Sequence, residues 1–202
     1  MEYYTPAQAS VVAGLPLKAV HKLIERRLIR PHRRRIGRRV QRLLSEEQLI
    51  YLRLEAEGVR LLPLTTRRRI AKTVEASPNI DAVLLSEGNA VVVQAKVARR
   101  EVKQEIARLR RAEQIVTSDP DTMQGTPVYR GTRIPVDLVA DMLAQGASVE
   151  EILEGYPALD RDKVELAPLY VSAFPHRGRP ISRPWAKHKP IRVIHQRRSP
   201  AE

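Results

Sequence analysis

The sequence predicts a mainly α-helical fold with short β-hairpins, organised as two three-helix units joined by a connector. Three observations predict it. Apolar residues recur at helical spacing through most of the chain. Glycine-containing breaks separate paired β-compatible runs at Gly37 and at Glu87-Gly88-Asn89, as in hairpins. Two helices open with capping boxes, Ser45 with Gln48 and Ser148 with Glu151.

The elements follow in order. Thr5 suits a helix N-cap and Pro6 a first helical residue. Ala7, Val11 and Val12 form that helix's apolar face, and Gly14 ends it. Pro16 opens a second helix in which Leu17, Val20, Leu23 and Ile24 share a face. Two short helices broken at a glycine make a helix-turn-helix. Pro31 stops it, and a run with seven basic residues from Arg30 to Arg42 follows, split by Ile36-Gly37. A basic hairpin directly after a helix-turn-helix reads as a wing. The helix from Ser45 packs back through Leu49, Leu52 and Ala56 and stops near Gly58. Thr65 is expected to cap a further helix ending near Ala76.

Beyond Ser77-Pro78, the runs 81–86 and 90–97 predict a hairpin, and 99–114 a helix with Val102, Ile106 and Leu109 as its stripe. Residues 123–135 hold two short extended pieces broken at Gly131. Three helices are expected after them, over 136–145, 148–154 and 161–174, the last capped by Asp160. The expected division is 1–76 (winged helix-turn-helix), 77–116 (hairpin and helix connector), 117–175 (trihelical, helix-turn-helix-like) and 176–202 (a basic tail with too little apolar content for a core, hence disordered alone).

Charge separates the functions. The 202 residues carry 36 Lys+Arg and 23 Asp+Glu, a net charge of +13. Residues 1–69 have a net charge of +10, 70–116 of +2, 117–174 of −6 and 175–202 of +7. The basic segments call for a polyanion, whereas the acidic one disfavours it. Lys18, His21, Lys22 and Arg26 fall largely on the outer face of the second helix, where they can reach bases or phosphates. Arg33, Arg34, Arg35, Arg38 and Arg39 flank Gly37 in the wing. Alternation along a strand turns about half of those arginines towards any one surface. Eight aromatic residues are too few for a base-stacking platform, which counts against single-stranded RNA.

Other chemistry is poorly supplied. No cysteine is present, and the five histidines have no ligand spacing. Asp137 and Asp141 lie four apart on one helix, but no third carboxylate or histidine follows in a ligand pattern. Neither a nucleophile–base motif nor a phosphate-binding glycine loop is present. An enzyme, a cofactor and a metal are therefore not expected. Neither a secretion signal nor a membrane-spanning run is readable, so a cytoplasmic, nucleoid-associated protein is expected.

Two stretches carry a family resemblance. Residues 3–57, above all YTPAQASVVAGLPLKAVHKLIERRLI, resemble the MerR-like winged helix-turn-helix. Arg27 stands where that pattern has a glycine. The segment from Gly125 to Pro180 resembles a small family, once filed as a domain of unknown function, associated with VapB-type antitoxins. It carries Gly131-Thr132-Arg133-Ile134-Pro135, Tyr156-Pro157 and Arg177-Gly178-Arg179-Pro180. The resemblance implies an antitoxin that represses its own operon on double-stranded operator DNA and neutralises a PIN-like ribonuclease toxin. A homodimer is expected, because one short recognition helix reads few bases. Toxin contact is expected from the 117–174 unit and the tail, through Arg177, Arg179, Arg183, Trp185 and Arg192. A plain linker, or an AT-hook-like minor-groove segment, is the lower-ranked reading of the tail. The alternative for the whole chain is a stand-alone MerR-like regulator with no toxin partner, and a third is an RNA-binding protein.

Overall fold

The computed structural model describes residues 2–87, 89–120 and 125–175. The fold is mainly helical with short antiparallel hairpins. Its elements are α1 (Pro6–Ala13), α2 (Leu17–Glu25), β1 (His32–Ile36), β2 (Arg39–Leu43), α3 (Glu46–Ala56), α4 (Leu64–Ala76), β3 (Val83–Glu87), β4 (Asn89–Val93), α5 (Ala95–Gln114), β5 (Val116–Thr117), β6 (Val128–Tyr129), α6 (Val136–Ala144), α7 (Val149–Gly155) and α8 (Arg161–Ala173). A single 3₁₀ turn, Val59–Leu61, joins α3 to α4.

Local chemistry sets the helix ends. Thr5 Oγ1 accepts from the Gln8 N–H while Gln8 Oε1 accepts from the Thr5 N–H, which closes the start of α1. Gly14, at φ 68°, ends it. Ser45 with Gln48 and Ser148 with Glu151 repeat the reciprocal cap on α3 and α7. Gln48 does more. Its buried amide Nε2 donates to the Arg30 carbonyl at 3.0 Å and to Glu75 Oε1 at 2.8 Å, tying the exit from α2 to the end of α4. Asp160 caps α8, and the Lys163 N–H it accepts lowers its pKa.

Some boundaries differ from the sequence expectation. Thr65 does not cap α4. Pro63, at φ −54°, sets the helical entry earlier, and Thr65 lies inside the first turn. Helix α5 starts at Ala95, not Arg99, because Ala95 and Ala98 extend its buried face by a turn. Strand β4 correspondingly ends at Val93. In the 123–135 stretch, β6 pairs with the upstream β5, and Val128 also bridges Pro135 across the Gly131 turn.

Two cores result. The first gathers Val12, Val20, Leu23, Leu44, Leu49, Leu52, Ile70 and Val74 with Val83 and Val93 of the β3–β4 hairpin. Helix α5 contributes Val102, Ile106 and Leu109 to this same core and packs against α1 and α3. The second core gathers Tyr129, Val136, Val139, Ile152, Leu159 and Val164. Helix α8 belongs to both. Val164 and Ala167 lie in the second core, whereas Ala173, with Leu169 and Phe174 against it, lies in the first.

One charged group is buried between α3 and α4. Arg67 donates from Nε and Nη2 to the two oxygens of Glu55, at 2.9 and 2.8 Å, and the Tyr51 hydroxyl also donates to Glu55. Glu55 is 2% exposed and Arg67 8%. Desolvation and this hydrogen bond raise the Tyr51 pKa, so the phenol stays a donor.

Two predictions follow from these local arrangements. Arg27 is exposed and adopts φ 56°, the left-handed conformation in which glycine avoids a Cβ clash. Arg27→Gly should raise stability by about 0.5–1 kcal/mol in urea unfolding, and a lower midpoint would refute the strain. Arg67→Ala should cost about 3–5 kcal/mol by stranding the Glu55 carboxylate. Replacing the whole trio, Tyr51→Phe, Glu55→Leu and Arg67→Met, should recover most of that loss. A triple variant as unstable as Arg67→Ala would show that the polar contacts, not the stranded charge, carry the effect.

Candidate nucleic-acid interface

Helix α2 and the β1–β2 hairpin meet at one face of the first core. The N-terminus anchors the hairpin there. Tyr4 N–H donates to the Leu44 carbonyl at 2.9 Å and Leu44 N–H to the Tyr4 carbonyl at 2.8 Å, with both residues buried. The Tyr3 and His32 rings meet edge to face at 4.7 Å beside this bridge. Gly37 and Arg38 form a two-residue loop between Ile36 and Arg39. Gly37 is at φ 58° and Arg38 is not in the positive-φ region, the φ pattern of a type II′ turn.

The register sorts the arginines. Arg33 faces Arg42, Arg35 faces Val40, Arg34 faces Gln41 and Ile36 faces Arg39. Paired residues share a face and successive residues alternate. Arg33, Arg35, Val40 and Arg42 therefore stand on one side, and Arg34, Ile36, Arg39 and Gln41 on the other. All of β1 is exposed. Arg35 Nε donates to the Gly37 carbonyl at 3.2 Å.

Helix α2 buries Val20 and Leu23 and leaves Lys18, Lys22 and Arg26 exposed, with Arg26 just beyond its last turn. His21 is half-buried. Leu17, expected in the core, is 38% exposed and lines a cleft instead. That cleft, of about 630 Å³, lies between the N-terminus of α1, helix α2, strand β2 and the end of α8. Thr5, Gln8, Leu17, His21, Val40, Gln41, Arg42, Phe174 and Pro175 are among its lining residues, and none of the described lining residues is a carboxylate. The first turns of α1 and α2 carry no acidic residue either. The start of α1 is closed by the Thr5–Gln8 box, whereas α2 has no side-chain cap at its positive end.

Among the described residues, Lys18, Lys22, Arg26, Arg33, Arg34, Arg35, Arg38, Arg39 and Arg42 form no ion pair. Elsewhere Arg53 meets Glu57 and Glu101, Arg108 meets Glu105, Arg110 meets Glu2, Arg111 meets Asp162, and Arg161 meets Glu150 and Glu165, while Arg60, Arg68, Arg100 and Arg133 form no ion pair among the described residues. Arg130 is also engaged, donating from Nε to the Gln114 carbonyl at 3.1 Å, where it caps the end of α5.

Of the sequence candidates, His21 lines this cleft; Lys18, Lys22, Arg26, Arg33, Arg34, Arg35, Arg38 and Arg39 lie on or beside α2 and the hairpin but are not among its lining residues. Arg42, Leu17 and the cap of α1 line it and were not among the sequence candidates. For Arg42 the signal was present, since strand pairing across Gly37 sets it opposite Arg33. Arg177, Arg179, Arg183, Trp185 and Arg192 lie outside the described residues. Among the described residues no group of three metal-ligating side chains converges, and no helix is long and apolar enough to cross a membrane.

A family match falls outside the residues that line this cleft. Residues 116–171, from β5 into α8, match a family described as "Protein of unknown function (DUF433)". The chain is 39% identical over 139 residues to the uncharacterised protein y4eO of Sinorhizobium fredii (strain NBRC 101917 / NGR234). That alignment spans 69% of this chain and 59% of the relative. The crystal structure of Rv2018 from Mycobacterium tuberculosis aligns over 82% of this chain and 96% of its own, at 13% identity and a TM-score of 0.33.

The register generates a prediction. Val40, Gln41 and Arg42 all line the cleft, and two of them stand on the side of the hairpin that carries Arg33, Arg35 and Arg42. Replacing these three arginines by Ala should flatten the salt dependence of duplex binding more than replacing Arg34, Arg38 and Arg39. Each lost phosphate contact lowers the log–log slope by about 0.9. Equal slopes for the two triple variants in a mobility-shift titration would mean that the hairpin does not present one face to the duplex.

Proposed function

We propose that the chain is a DNA-binding antitoxin. On this reading α1, α2 and the β1–β2 hairpin form a winged helix-turn-helix that binds operator DNA as a homodimer. The observation that carries the DNA reading is the set of exposed guanidinium and ammonium groups on α2 and the β1–β2 hairpin that form no ion pair among the described residues. Exposed cations without internal partners exchange condensed counterions for phosphates at no cost in broken ion pairs. Helix α2 supplies Lys18, His21 and Lys22 for the major groove, and the hairpin arginines flank it on the backbone.

The antitoxin half rests on the resemblance of the 125–180 segment and on its acidity. Glu150, Glu151, Glu154, Asp160, Asp162 and Glu165 lie on or beside α7 and α8, where like charge would repel phosphate but suits a protein partner. The unit built on α6, α7 and α8 docks a PIN-like ribonuclease encoded beside this chain, and the occupied operator shuts down transcription of both.

Binding to a duplex from the chain's own upstream region should exceed binding to a scrambled duplex by about 10³-fold or more at physiological salt. The neighbouring reading frame's product should co-purify with it. Tighter binding to RNA than to duplex would replace this reading with an RNA-binding one. Specific duplex binding without a co-purifying partner would leave a stand-alone transcription regulator.

A further inference from the structure

The two hairpins of the fold carry opposite chemistry. Five arginines stand on β1 and β2, whereas β3 and β4 carry one charged residue, Glu87, at the closing pair with Asn89. From Ala82 to Ala95 the chain holds no other charge, although 29% of its residues are charged. The charges that flank this stretch, Asp81 and Lys96, form an ion pair with each other at 3.9 Å.

The register divides the β3–β4 hairpin into two faces. Val83 pairs with Val93 and Leu84 with Val92, and successive pairs point to opposite sides of the sheet. Val83 and Val93 are buried in the first core. Leu84, 73% exposed, and Val92, 47% exposed, therefore stand together on the outer face. Val97 is exposed in the first turn of α5, which follows β4 after one residue. Among the described residues β3 and β4 pair only with each other, so both strands are edges. Charged residues or proline ordinarily guard an exposed edge, and neither strand carries lysine, arginine or proline. A two-stranded sheet is marginal alone and gains stability from a further strand or layer.

We propose that this outer face, centred on Leu84 and Val92, is the two-fold contact between two copies of this chain. The argument for a second copy is electrostatic. In a two-fold contact the same patch meets itself, so any excess charge on it is set against its own image. A chain of net charge +13 therefore self-associates best through a neutral face, and an uncharged apolar one is its own complement. The inference deepens the DNA reading above, which calls for a homodimer. Val83 and Val93 seat the hairpin in the core that also holds Val20 and Leu23 of α2. A contact through the hairpin thus holds two α2 helices at one separation, as two operator half-sites require.

The test uses the full-length chain in sedimentation velocity. Leu84→Lys and, as a second chain, Val92→Lys set like charges across the contact. Each should raise the dimer dissociation constant at least about tenfold. Far-UV circular dichroism should be unchanged, because both positions are exposed in the single chain. If a lysine disturbs the fold, Leu84→Thr with Val92→Thr gives the same readout, since threonine keeps strand propensity while removing apolar surface. Leu61→Lys, at another exposed leucine, should leave the dimer intact. Mixing the Leu84→Lys chain with a Leu84→Asp chain should restore dimers containing one of each. Specific duplex affinity should fall with dimerisation.

A wild-type chain that stays monomeric overturns the inference, as does a dimer that persists in both lysine chains or is not restored in the mixture. Lysine chains that stay dimeric but no longer retain the neighbour-encoded protein also overturn it and assign the face to that partner. A wild-type dimer that the lysines dissociate, but that binds no duplex, upholds the inference and overturns the DNA reading.

Discussion

The architecture depends on helix α8 burying side chains in both cores at once. Val164 and Ala167 close the core of α6 and α7, and Ala173 with Leu169 and Phe174 closes the core of α1, α3 and α5. A helix held at both ends by apolar contact cannot pivot without opening one of the cores. The acidic and basic parts of the chain are thereby fixed relative to each other, and the end of α8 lies at the cleft. Helix α5 reinforces this. It packs on α1 and α3 and also on α8, and Arg111 reaches Asp162 across the junction at 2.6 Å.

Charge is handled in two opposite ways within the fold. Around α3, α4 and α5 it is neutralised in place, by Glu55 with Arg67 in the interior and by Arg53 between Glu57 and Glu101 nearer the surface. The buried pair adds little net stability, since desolvation offsets the attraction, but it fixes how α4 meets α3. Around α2 and the hairpin, charge is left unneutralised. An array of like charges on a two-stranded hairpin works against its own folding, and the hairpin is held by backbone geometry instead: the Gly37 turn at one end and the Tyr4–Leu44 bridge at the other.

Much of this was legible in the sequence because its causes are local. Thr5, Ser45, Ser148 and Asp160 cap helices through atoms three residues away, so their spacing in the chain is the evidence. Gly37 marks a hairpin for the same reason, and the basic run around it needs no tertiary contact to be recognised. Boundaries misread from the sequence reflect small residues. Ala95 and Ala98 look neutral in a chain, but they are fully buried where α5 lies close to its neighbours, so the helix begins earlier than the large apolar residues indicate.

The sequence by itself determined the helical class, the two hairpins, most helix ends and the segregation of basic from acidic segments. Each is set by residues within a few positions of one another. Tertiary structure alone decided which arginines keep a carboxylate partner, that Arg130 caps α5 while Arg42 lines the cleft, and that the end of α8 shares that cleft with α2. Those outcomes depend on separations of tens of residues, as between Arg53 and Glu101 or Phe174 and His21, which only the shared burial of α8 and α5 brings within reach.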